Sequence, residues 1–449
     1  MNLKKSFYYT AFFLALPNII QQLVTNLSQM VDNLMVGRLQ EIAIAGVTIT
    51  NQIFFIFTVV MLGLTAAGGI FITQYKGARN DEKVTEVFRV VLLFSLGLGV
   101  LFFLAMHFTP ETFLRIFAKD QVVIESALSY VQYIKYTFLI YPISLAIGAS
   151  YRFCGLVKVP MYVAILSVIV NIIFNYCLIY GNFGFPALGV PGAAIATLIA
   201  RVVELVILLY LTRRLETPIK VHLSKIFSFE KYVLTDFINK GYGLILNEFF
   251  WSFGMQVVVI VYTSKISENI AAMSIANVMT NLIFVGMSGM SVAISIIVGN
   301  SLGQGKFEQA KKDSRKLLKL SASVGLFLGI TVIVVSYFIT MLYDIAPETL
   351  QTARLVIVAA ACFSWLYYLN VAYFYTLRVG GDTKSVLIMD SGFVWAVMIP
   401  VALLIGQLHL YLPLHYFLVQ FFDLIKLAVA RVRYRKGNWL INLTIHEEV

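Results

Sequence analysis

A chain of 449 residues that is 59% hydrophobic and only 13% charged, with a mean hydropathy of +0.84, departs from soluble domains, which carry about 25% charged residues. Water is therefore excluded as the solvent for most of its surface. The net charge of +11 does not point to nucleic acid, because the basic residues are distributed by loop and not gathered into one patch with interleaved aromatics.

A bilayer-spanning helix takes about 20 mainly apolar residues. Twelve such stretches follow one another, at 8–35, 45–74, 87–108, 122–146, 160–182, 191–212, 236–262, 270–299, 317–341, 349–377, 385–406 and 413–432. The first follows Lys4 and Lys5 as a signal peptide would, but it has no small-residue cleavage site, outruns a signal h-region and holds Asp32, so it is predicted as helix one. Its polar residues Gln21, Thr25, Ser28 and Asp32 are spaced four, three and four apart and share one helical face. That face is too polar for lipid. Asp32 lies about 24 residues from the cytoplasmic end, in the outer half of the bilayer at 1.5 Å rise per residue. A charged side chain at bilayer depth usually faces a cavity and binds ions or substrate; the plainer alternative is a carboxylate that pairs with a neighbouring Arg or caps a helix.

Helix five carries Asn171 and Asn175 one turn apart, and helix six carries Thr197, Arg201 and Glu204 on one face. Amide and hydroxyl oxygens around a carboxylate suit a small hard cation that sheds water, which makes Asp32, Asn171, Asn175 and Thr197 a candidate Na+ site. The Asn pair fits interhelical hydrogen bonding equally well. Arg201 and Glu204, at i, i+3, read as a structural ion pair that Lys135 of helix four can join.

The longest polar break, 213–234, falls at the middle of the chain. It predicts an N-terminal six-helix lobe over 1–212, a cytoplasmic linker over 213–234 and a C-terminal six-helix lobe over 235–449. A repeat supports the division: Arg152, Gly155 and Lys158 recur as Arg378, Gly381 and Lys384, and the same offset of 226 pairs Asn51 with Asn277, Met61 with Met287 and Gly77 with Gly303. Six helices per half insert both halves with one orientation, so the pseudo-twofold axis is expected along the membrane normal. The predicted fold is an all-α integral membrane protein of twelve transmembrane helices in two lobes.

In the second half, helix seven sets Glu248, Ser252 and Gln256 on one face, with Glu248 near the midplane and no base within a turn. Helix eight adds Asn277 and Asn281, and helix ten adds Asn370. With Gln21, Thr25 and Ser28, these are the candidate substrate-cavity residues, while Glu248 joins the cation-coupling candidates. Asp390 lies six residues past Lys384, and Asp423 has Lys426 at i+3; both are predicted near cytoplasmic helix ends, in structural roles.

Only Arg38, Arg115, Lys119, Lys265 and Arg354 fall in loops on the side opposite the basic ones, and the positive-inside rule then places both termini in the cytoplasm of a bacterial-type cell membrane. Cys154, Cys177 and Cys362 are too scattered for a disulfide framework. No P-loop, dinucleotide fingerprint, zinc-spaced His/Cys cluster or nucleophile elbow is present. No cofactor and no enzymatic activity are expected, and any work must come from an ion gradient.

The run Pro17 to Gly37 with Val31-Asp32-Asn33, then Gly77-Ala78-Arg79, Arg152 with Gly155, Asn171 with Asn175, and Gly192-Ala-Ala-Ile-Ala-Thr197 resembles the multidrug and toxic compound extrusion (MATE) family over essentially the whole chain. The resemblance implies export of organic, often cationic, compounds against inward Na+ or H+. It implies that Asp32 is the helix-one cation-site acid, Asn171 and Thr197 its neighbours, and Glu248 the helix-seven acid. Asn175 stands where many members have Asp, and Asn370 where some have an acid. A monomer binding small organic substrates within a lipid bilayer is expected. The rivals are a flippase for a lipid-linked saccharide of the same superfamily, which wants a basic cleft and typically two more helices, and a channel or non-transporting membrane receptor.

Overall fold

The computed structural model describes residues 7–39, 41–221, 223–263, 268–340, 346–408 and 410–445; Lys4, Lys5 and Lys265 lie outside the described residues. Among those described there is no β-strand. The helices are α1 (Phe7–Gly37), α2 (Glu41–Gly77), α3 (Asp81–Phe108), α4 (Pro110–Leu114), α5 (Gln121–Ile134), α6 (Thr137–Phe153), α7 (Lys158–Tyr180), α8 (Val190–Arg214), α9 (Lys231–Thr263), α10 (Glu268–Gly303), α11 (Phe307–Thr340), α12 (Pro347–Cys362), α13 (Ser364–Val379), α14 (Thr383–Leu387), α15 (Ile399–Gln407), α16 (Leu412–Phe421) and α17 (Asp423–Arg435). Over their described residues the twelve predicted apolar stretches fall on helix, apart from short breaks such as those at Lys135 with Tyr136 and at Phe363.

Among the described residues, nine helices are long and apolar enough to cross a bilayer, and α12 with α13, bent by 44°, makes a tenth. The first stretch misses that mark because Asn18, Gln21, Gln22, Asn26 and Gln29 dilute the apolar residues of α1. The fourth misses it because a break at Lys135 and Tyr136 leaves α5 with 14 residues and α6 with 17. Between α14 and α15 the chain passes through two five-residue π-helical stretches, Ile388–Gly392 and Val394–Met398. They lie directly before Pro400, which has no amide hydrogen to return to the preceding turn.

The chain divides into two compact units, one of Ile20–Ile72 and Asn80–Gly241, the other of Met1–Ile19, Thr73–Arg79 and Tyr242–Val449. We call them the N-terminal and C-terminal units. In the N-terminal unit, α8 lies against α7 so closely that a Cβ on Gly192 would collide with the Leu178 carbonyl. Small residues let helix backbones approach in this way. Ala193 and Ala194 follow in the same apolar core as Val36, Val47, Tyr130 and Ile179, and the Tyr180 hydroxyl donates to the Met35 carbonyl at 2.8 Å. These contacts hold α1, α7 and α8 in one register.

In the C-terminal unit, the segment after α17 folds back. Trp439 is 1% exposed, stacks on Tyr434 at 5.3 Å and donates to the Tyr434 carbonyl at 3.1 Å. Its own carbonyl fills the space that a side chain on Gly380 would need. Gln74, fully buried, donates to the Val379 carbonyl at 2.6 Å and accepts from the Leu443 amide at 2.7 Å.

Two outcomes follow from this packing. Gly192→Leu overfills the α7/α8 contact, an error that costs about 1–3 kcal/mol; the purified protein should unfold at lower temperature in detergent. Trp439→Ala removes a large, fully buried side chain, worth about 3–5 kcal/mol, and should lower the unfolding midpoint more than Gly192→Leu does. An unchanged midpoint in either variant contradicts the packing described.

Candidate functional site

Two polar clusters stand out, one inside each unit. In the N-terminal unit, α1 brings Ser28 and Asp32, one turn apart, against Asn171 and Asn175 of α7. The Asn175 amide donates to an Asp32 carboxylate oxygen at 2.5 Å and to Asn171 Oδ1 at 3.3 Å. The Ser28 hydroxyl reaches the same Asn171 oxygen at 3.5 Å, and the Asn171 amide donates to the Thr197 hydroxyl at 3.3 Å. Asp32, Asn171, Asn175 and Thr197 thus form one hydrogen-bonded chain across three helices. Tyr130, from α5, is buried beside this chain; nothing in its sequence spacing marked it. Asn175 Oδ1, in a side chain 1% exposed, has no hydrogen-bond partner among the described residues.

One to two turns along α8, Arg201 Nη1 donates to Glu204 at 2.7 Å and its guanidinium lies 4.1 Å from the Tyr141 ring centre. Ser167 also donates to Glu204, at 3.4 Å. Lys135 does not join this pair. Its ammonium sits over the Tyr136 ring at 5.5 Å, because α5 ends at Ile134 and turns the side chain away. The polar face of α1 divides between partners: Gln21 Oε1 accepts from Arg152 at 3.1 Å, while the Thr25 hydroxyl returns to the Gln21 carbonyl at 2.9 Å.

The C-terminal unit holds a partly open cavity of about 250 Å³ whose wall includes Glu248 of α9, Asn370 and Arg378 of α13, Asp390 of the first π-helical stretch, and Asp423 and Lys426 of α17. Glu248 accepts from Arg378 Nη1 at 2.7 Å. Asp390 accepts from Lys426 Nζ at 2.5 Å and from the Asn247 amide at 3.1 Å, with Arg378 Nη2 at 3.9 Å. Ser391 secures the same corner by donating to the Asn247 carbonyl at 2.7 Å.

This arrangement extends the sequence reading of Asp390 and Asp423 as structural acids near helix ends: Asp423 does open α17, but both line the cavity that Glu248 lines. The Lys426 ammonium, three residues from Asp423, bonds Asp390 on another helix instead. Glu248, with no base within a turn of its own helix, takes one from α13, and Arg378 is only 4% exposed. Arg378 and Lys426 were missed because spacing along one helix cannot reveal a partner on another; the recurrence of Arg152 as Arg378 was the one available signal. Of the remaining cavity candidates, Ser252, Gln256, Asn277 and Asn281 all lie off the cavity wall, Ser252 buried and the other three exposed. Ser288 lies on the wall and accepts from Asn18 at 3.1 Å.

A family model described as MatE matches the chain twice, over residues 17–177 and 244–404. The chain is 25% identical over 409 residues to the probable multidrug resistance protein YoeA of Bacillus subtilis, covering 90% of this chain and 88% of that one. It is 26% identical over 392 residues to the probable multidrug resistance protein NorM of Thermotoga maritima, covering 87% and 83%. An outward-facing multidrug resistance MATE transporter of the MOP superfamily shares the fold at a TM-score of 0.85 and 19% identity, covering 97% of this chain and 99% of that one. Two matches to one family model, one in each half of a twelve-helix duplicated chain, make this multi-pass membrane protein a member of the MATE family.

Proposed function

We propose that this chain is a cation-coupled antiporter that exports organic, often cationic, compounds by alternating access of two lobes, with H+ as the coupling ion. The observation that carries the reading is the Asp32 carboxylate, whose hydrogen-bond partner among the described residues is an amide and not a base. Such a group can be neutralised by a proton or by an organic cation, not by both. Release of one then accompanies loading of the other, and a poorly solvated setting makes the competition steep. The names of the relatives, multidrug resistance proteins, agree with small organic cargo.

The choice of H+ rests on the oxygens at hand. Asn171 Oδ1 already accepts from Ser28 and Asn175, and one carboxylate is all that Asp32, Asn171, Asn175 and Thr197 supply together. A dehydrated hard cation asks for more anionic oxygen than that, whereas a proton needs a single carboxylate. The loop charges favour cytoplasmic termini and linker in a cell membrane, with a monomer as the working form and rocking of lobes 1–212 and 235–449 about linker 213–234. The flippase reading is disfavoured by the C-terminal cavity, where three acids outnumber two bases and a phosphate would be repelled.

Asp32→Asn keeps size and hydrogen bonding but removes the titratable charge. In proteoliposomes it should cut gradient-driven efflux of a cationic dye by about tenfold or more while the protein still purifies as a folded monodisperse species. Efflux at the parental rate sinks the N-terminal-unit mechanism. For the coupling ion, dye export should stop when ΔpH is collapsed with Na+ present and persist when K+ replaces Na+ under an imposed ΔpH. The opposite pattern assigns Na+.

A further inference from the structure

The cavity of the C-terminal unit has five charged side chains on its wall: the acids Glu248, Asp390 and Asp423 and the bases Arg378 and Lys426. Both bases are committed. Arg378 holds Glu248 at 2.7 Å, and Lys426 holds Asp390 at 2.5 Å. They also occupy two of the aromatic walls, Arg378 over Tyr375 at 4.7 Å and Lys426 over Phe374 at 5.1 Å.

Among the described residues, Asp423 is the cavity acid left without an ion-pair contact. It is 6% exposed, and its Oδ1 has no hydrogen-bond partner among the described residues. Beside it Asn370, 4% exposed, donates to the Asp423 backbone carbonyl at 3.4 Å and leaves its own Oδ1 without a partner too. Two buried acceptor oxygens, one of them anionic, thus lack a donor on the wall of a cavity that is one positive charge short of neutral. Buried polar groups are ordinarily satisfied, and each exception asks what completes it.

We propose that this cavity is a one-charge receptor: Arg378 and Lys426 are resident counter-ions that limit it to a single added positive charge, received at Asp423 and Asn370, so that it takes a monovalent organic ammonium ion and turns dications away. One added cation brings the wall to neutrality. A second leaves an excess charge in surroundings that solvate it poorly. The rings of Trp251, Tyr367 and Tyr416 on the same wall offer π faces to an alkylammonium guest. The proposal names the charge class of the cargo and rests on the antiport reading only for the premise that organic cations are what the chain handles.

The test compares two probes with the same N–H-donating head group and chain, hexylammonium with one charge and hexane-1,6-diammonium with two. Equilibrium binding to the full-length protein in lipid nanodiscs, with no gradient, is followed by calorimetry and by the fluorescence of Trp251. The parental protein should bind the monocation at least about tenfold more tightly than the dication. Asp423→Asn should lose that affinity by a similar factor. Lys426→Gln removes one resident charge while Asp390 keeps Asn247 at 3.1 Å and Arg378 at 3.9 Å, and it should raise the dication to parity or better. Equal binding of the two probes by the parental protein, no binding of the monocation, unchanged affinity in Asp423→Asn, or an unchanged preference in Lys426→Gln each overturns the proposal. Should Asp423→Asn fail to purify folded, the parental preference and the Lys426→Gln switch still decide. Gradient-driven export that fails while the binding preference stands condemns the antiport reading alone.

Discussion

A charge carried into a bilayer has no water to answer it, so its partner must come from the protein. The two units meet this demand differently. In the N-terminal unit Asp32 is held by a neutral amide, which leaves its charge uncancelled. In the C-terminal unit Glu248 and Asp390 are answered by full positive charges from other helices. The helix packing follows from these partnerships as much as from apolar burial: Gly192 permits the approach of α8 to α7 that carries Thr197 to Asn171, and Ser391 ties its strand of polar contacts to α9 through Asn247.

Duplication kept a backbone and let the chemistry diverge. Arg152 and Arg378 stand at the repeat offset of 226, and each guanidinium reaches back to the first helix of its own repeat. Arg152 finds the neutral amide of Gln21, at 3.1 Å, and Arg378 finds the carboxylate of Glu248, at 2.7 Å. One donor position thus meets a dipole in one repeat and a countercharge in the other. Among the described residues, the acids of the two clusters that make no ion-pair contact, Asp32 and Asp423, sit on non-equivalent helices of the two halves.

The spans and the Asp32 group were legible in sequence because their information is local. Apolar runs mark the helices, and Ser28 with Asp32, like Asn171 with Asn175, share faces by i, i+4 spacing. The C-terminal cluster was not legible because α9, α13, the π-helical stretch and α17 each supply one or two members. Local spacing even misled: Lys426, three residues after Asp423, suggested a pair on one helix, yet its ammonium spans to Asp390. The breaks at Lys135 and Phe363 were also hidden, since neither site carries the Gly or Pro that usually signals one.

The π-helical stretches between α14 and α15 have a bearing on chain length. Asp390 with Ser391 contacts Asn247, and Trp395 donates to the Phe250 carbonyl at 2.9 Å, so residues five apart both address α9. In an α-helix, at 3.6 residues per turn, positions i and i+5 diverge by roughly 140°, but a π turn closes at i+5 and brings them onto one side. Deleting a single residue here, a change that a loop would absorb, resets the winding to α and forces a choice between the Asp390 anchor and the Trp395 anchor. The number of residues in this helix is therefore as strictly constrained as their identity.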